Sequence, residues 1–134
     1  MRKTNNNFGQ SLIEIVAAIV VISVGILAIV KVTTKSISNT IFARNRALAT
    51  TYGQDTLEKI REYRDRNNWQ TFIDNCGSES ALGLTEVPTS FTRILTCLES
   101  GSDNNSRDIV VIISWSDAAG THQSRIQTNL TAWK

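Results

Sequence analysis

The 134 residues are room for one domain. Hydrophobic residues make up 41% and charged residues 19%, and the net charge of +2 is too small to mark a nucleic-acid partner by itself. Many of the apolar residues lie between Leu12 and Val30, which leaves the rest of the chain a thin core. A small domain with a thin core often needs a staple.

Residues 1–9 are polar, with Arg2 and Lys3 as their side-chain charges. Residues 12–30 then read LIEIVAAIVVISVGILAIV. As a helix, this run is long enough to cross about 30 Å of hydrocarbon. Arg2 and Lys3 would hold the N-terminal side in the cytoplasm, with the remainder exported past Lys31 and Lys35. A cleaved secretory signal would have a shorter apolar core and an A-x-A-like exit, which AIVKVTTKS is not. A buried core helix is disfavoured by the length and by the basic lead-in. A plain signal anchor explains everything but Glu14. A carboxylate at mid-membrane costs roughly 2.5–3.5 kcal/mol, and less near an end, so such a residue usually has a partner.

Export also bears on the two cysteines, Cys76 and Cys97. Joined, they would close a loop worth roughly 3 kcal/mol in the chain-entropy model. That bond needs an oxidising compartment. The alternative is two unrelated buried thiols.

From Phe8 the chain reads F-G-Q-S-L-I-E-I-V. This resembles the class III signal of type IV prepilins and pseudopilins, in which a short basic leader ends in glycine and an apolar helix follows. A glutamate is the fifth residue after the cut. The resemblance implies that Gly9 is the last leader residue, that Gln10 is the new and N-methylated N-terminus, and that Glu14 is the assembly glutamate. Ser11, Leu12 and Ile13 fit the small–Leu–Ile spacing before it. Many members carry Phe or Met where this chain has Gln10. The physical logic stands beside the resemblance. Cutting after Gly9 exposes an amine about one helical turn from Glu14. A carboxylate near a helix N-terminus is favoured by the macrodipole. Among packed apolar helices it would pair with its own amine or a neighbour's, setting the axial register between subunits. No proline lies between Gln10 and Asn68. Major pilins often carry one there, which leans the reading towards a minor pilin or pseudopilin.

The helix is expected to continue to about Arg66. Ile37, Ile41, Leu48, Tyr52, Ile60 and Tyr63 make an apolar stripe. Asp55–Lys59 and Glu62–Arg66 are favourable i,i+4 pairs. Asn67 and Asn68 read as a stop. Residues 69–88 read as a loop region with room for a short helix. Strands are expected over 90–98, 107–115 and 121–133, with turns at 101–106 and 117–120. The expected fold is α+β: a long N-terminal helix, half transmembrane and half amphipathic, packed against a small antiparallel sheet. This layout is similar to the pilin fold. The stretch VVIISWSDAAGTHQSRIQTNLTAW resembles the C-terminal strands of V-type minor pilins and I-class pseudopilins, and ALATTYGQDTLEKIREYRD looks like their helix end.

Other candidate sites carry less. His122, the single histidine, reads as a solvated turn residue. Two cysteines and one histidine at these spacings make no zinc site. No phosphate-binding loop or nucleophile elbow occurs, so no cofactor, metal or catalytic residue is expected. Asp103 and Asp108 flank Asn104 and Asn105 but lack the calcium-loop pattern. Trp69, Trp115 and Trp133 are expected in the core or an interface. Arg44, Arg46, Arg61, Arg64 and Arg66 would suit DNA phosphates, although Asp55, Glu58, Glu62 and Asp65 interleave with them.

The expected organisation is a leader at 1–9, an assembly helix at 10–30 and an exported domain at 31–134. That domain comprises a helix half (31–66), a loop (67–89) and a β-meander (90–134). The expected function is a non-enzymatic filament subunit of a type IV pilus or type II secretion-like machine. Its expected partners are other pilin or pseudopilin subunits, a prepilin peptidase and the inner or cytoplasmic membrane. The alternative is a filament-tip module that contacts DNA or another surface ligand. The expected location is a single-pass membrane protein with a cytoplasmic N-terminus, and a surface or periplasmic filament after assembly.

Overall fold

A computed structural model describes the backbone of residues 8–101 and 105–132, with side chains from residue 12 onward. The leader up to Asn7, the turn residues Asp103 and Asn104, and Trp133 lie outside the described residues. Helix α1 runs Phe8–Arg66. A short helix α2 follows at Trp69–Asn75, then strands β1 (Phe91–Glu99), β2 (Ser106–Asp117) and β3 (Gly120–Thr131). The chain divides into two compact units, Met1–Ile41 and Phe42–Lys134.

In the first unit the helix makes no core. The large apolar side chains from Leu12 to Val30 are 55–71% exposed. Their hydroxyl neighbours bond back along the helix: Ser23 Oγ donates to the Ile19 carbonyl at 2.7 Å, and Thr33 and Thr34 do the same to Ile29 and Val30. Such back-bonding satisfies a hydroxyl where water is absent.

The second unit holds the core. Along α1 its buried positions are Ala49, Gly53, Thr56, Leu57 and Ile60. They recur at three- and four-residue steps, one face of a helix. Small residues let the helix approach the sheet closely. A Cβ on Gly53 would stand 2.6 Å from Ile126 Cδ1. This corrects the expected stripe. Ile60 is buried and Leu48, Tyr52 and Tyr63 pack partly, but Ile37 and Ile41 remain 57% and 49% exposed.

The three strands form one antiparallel sheet in the order β1-β2-β3. Side chains alternate between its faces. From β2, Ile109, Val111, Ile113 and Trp115 point into the core, joined by Phe91 from β1 and Leu130 from β3. Burial of each such side chain contributes about 1.5–3 kcal/mol. Asp117 and Gly120 close the β2–β3 hairpin around Ala118 and Ala119. Asp117 Oδ1 accepts from the Ala119 amide at 2.8 Å. Gly120, at φ 132°, takes a backbone conformation that other residues rarely adopt.

Part of the expected loop at 67–89 is helical. Asn68 caps α2, its side chain accepting from the Thr71 amide at 2.8 Å. The cap lets α2 press Phe72, fully buried, into the core beside Trp69. The residue read as a stop is therefore also the start of the next helix.

Candidate functional site

Gly9, Gln10 and Glu14 fall on the first turns of α1, which begins at Phe8. Gly9 and Gln10 are described as backbone only. A glycine in a helix's first turn, where amides lack intrahelical partners, leaves that turn easy to open. Gln10 and Glu14 are four positions apart, which puts both on one helix face. Glu14 is exposed and has no hydrogen-bond or ion-pair partner among the described residues. It interrupts a helix whose apolar window has a mean hydropathy of 2.9, none of it buried, which is long and apolar enough to cross a membrane.

Cys76 and Cys97 are joined in a disulfide, Cα atoms 5.9 Å apart. It ties the end of α2 to β1 and sits beside a second clamp that the sequence did not disclose. Arg93, on the inward face of β1, has a side chain only 6% exposed. Its Nε and Nη2 donate to the two carboxylate oxygens of Glu79 at 3.1 and 2.8 Å. Nη1 donates to the Thr85 carbonyl at 3.0 Å. This forked pairing is the geometry that suits guanidinium and carboxylate. The hydrogen bond from Arg93 holds the Glu79 carboxyl below the usual glutamate range, ahead of an opposing effect of burial. Lys59 Nζ donates to Thr85 Oγ1 at 2.8 Å, so α1 also grips the loop. Arg107 is likewise nearly buried and pairs with Glu99 at 3.3 Å. Neither inward arginine follows from periodicity, because each partner is set by the tertiary fold.

His122 is packed, not solvated. Its Nε2 lies 3.0 Å from Asp117 Oδ1, and its ring centroid lies 4.9 Å from that of Phe42 and 5.6 Å from that of Trp115. The hydrogen bond with His122, helped by the Ala119 amide, keeps the Asp117 carboxyl below the ordinary aspartate range. The cluster fastens the hairpin to α1 through Phe42.

Of the arginines considered for DNA, Arg61 and Arg66 line one cavity, and the carboxylates Asp55, Glu58, Glu62 and Asp65 line it with them. Arg44 and Arg46 are exposed, but two residues on a helix diverge by about 200°. Arg61 donates to Thr128 at 3.3 Å, Arg64 lies 2.7 Å from Asp65, and Arg66 pairs with Glu62. The expected Asp55–Lys59 pair is present at 3.9 Å. Asp108 accepts from Asn129 at 2.7 Å. Among the described residues no group of three or more His, Cys, Asp or Glu side chains could hold a metal ion.

The chain matches no protein-family model, and no curated protein and no solved structure matches it.

Proposed function

We propose that this chain is a structural subunit of a pilin-like filament, a minor pilin or pseudopilin of a type IV pilus or a type II secretion-like machine. In this reading a prepilin peptidase cuts after Gly9, Gln10 becomes the mature N-terminus and a substrate for N-methylation, and the domain is exported. The subunit is a scaffold element and not a catalyst. Its partners are further pilin-like subunits and the membrane that holds it before assembly.

One observation carries the proposal: a single helix presents a continuous exposed apolar surface from Leu12 to Val30, broken by one carboxylate, Glu14, that has no partner among the described residues. An apolar surface of this kind requires lipid or neighbouring helices around it. A carboxylate in that setting requires a cation. The amine exposed by cutting after Gly9, on the same subunit or the next, supplies one. The long apolar helix and small antiparallel sheet are compatible with a pilin-like fold.

The test is Glu14→Ala in cells that make the filament. The variant is expected to insert and to be cut after Gly9, yet to be lost from sheared filaments. Wild-type incorporation of Glu14→Ala would remove the pairing role. N-terminal sequencing with and without the prepilin peptidase checks the cut itself.

A further inference from the structure

We infer that the mature N-terminus carries a second chemistry: Gln10 closes on its own α-amine to a pyroglutamyl lactam unless that amine is held as an ammonium ion. This rests on the cut after Gly9 proposed above. An N-terminal glutamine holds both reacting groups in one residue, spaced to close a five-membered ring. The neutral amine nitrogen attacks the side-chain carbonyl carbon Cδ. The N–Cδ bond forms, the Cδ–Nε2 bond breaks, and a proton from the amine leaves with Nε2 as ammonia. Nothing is oxidised or reduced, and no co-reactant is needed.

Only the neutral amine attacks. An ordinary α-amine titrates at about 7.7–8.0, so near neutral pH roughly one in ten is competent at any moment. Helix α1 sets Glu14 one turn from Gln10, on the same face, with no competing partner among the described residues. A carboxylate there attracts the ammonium form and withholds the lone pair. Glu14 therefore guards the amine as well as pairing with it. A subunit whose amine stays unpaired loses it irreversibly. The lactam offers an N–H but no positive charge, so Glu14 is left without its cation in an apolar setting.

The experiment uses the chain, expressed from its whole sequence, from membranes of cells that have the prepilin peptidase but in which N-methylation is blocked. Lysates are quenched in acid, and the N-terminal peptide is weighed by mass spectrometry. An isotope-labelled peptide with a free N-terminal glutamine, added at lysis, corrects for closure during handling. Wild type is expected to show a fraction lighter by one ammonia. Glu14→Gln should raise that fraction several-fold, and Gln10→Leu should abolish it. A chain beginning at Gln10 with its amine intact in both wild type and Glu14→Gln overturns the lactam and leaves the cleavage reading standing. A lactam fraction no larger in Glu14→Gln than in wild type overturns the guarding role of Glu14. A chain still beginning at Met1 overturns the cleavage reading and the lactam with it.

Discussion

Between Leu12 and Val30, helix α1 carries large aliphatic side chains on every face, and all of them are exposed. Between Phe42 and Arg66 the same helix buries one face, and that face is built largely from small residues: Ala49, Gly53 and Thr56 beside Leu57 and Ile60. Hydrophobicity alone would rank these stretches the wrong way round for burial. The first is long and apolar enough to cross a membrane, and none of it is buried. The second is chosen for fit, because a helix laid on a sheet must bring its backbone close to Ile113 and Ile126. The core of the domain is thus written in the second stretch.

That division can be broken by substitutions on its two sides. Phe72→Ala, in the full chain held in detergent, should cost about 3–5 kcal/mol of domain stability, read from denaturant unfolding followed by tryptophan fluorescence. Ile19→Ala should leave the same curve unmoved. A shift of the curve by Ile19→Ala comparable to that of Phe72→Ala would show that the first stretch also supports the domain. Cys76→Ala with Cys97→Ala should cost somewhat less, about 2–4 kcal/mol, because the loop regains freedom in the unfolded chain.

The smallest effect sharpens the comparison within the domain. Glu79→Gln should cost of order 1 kcal/mol at neutral pH, since Glu79 is 43% exposed and water screens its pairing with Arg93. Both Glu79 and Asp117 have carboxyls lowered from their ordinary values of 4.5 and 3.8. Lowered carboxyls contribute stability above those values, and it is lost as pH falls through the lower folded-state values. Wild type should therefore lose stability below about pH 4. The gap between wild type and Glu79→Gln should close over the same range. A gap that stays constant down to pH 2 would mean that the Arg93 clamp is not ionic.

Much of the fold was legible in the sequence, because local signals set it. The helix was expected to end at Arg66 and does. The strands were expected within about two residues of their observed ends, from β-branched runs bounded by turns. The exposed apolar helix and its lone Glu14 were visible for the same reason. The buried face of α1 was misplaced at Ile37 and Ile41, because apolar spacing along a helix does not say where the sheet begins to cover it. The sequence leaves room for a short helix in 69–88 but does not place α2, since seven residues give too short a period. Arg93 with Glu79, and His122 with Phe42, were not legible, because long-range packing creates both contacts.

The disulfide has a topological consequence. Residues 76–97 form a closed covalent ring through Cys76 and Cys97, and the ring includes Leu82, Pro88 and all of β1 but its last two residues. One protease cut anywhere inside it opens the ring but does not divide the molecule. The N-terminal helix and the β2–β3 hairpin stay tethered through sulfur. Such a nick would be invisible on a non-reducing gel and would appear as two fragments once thiol is added.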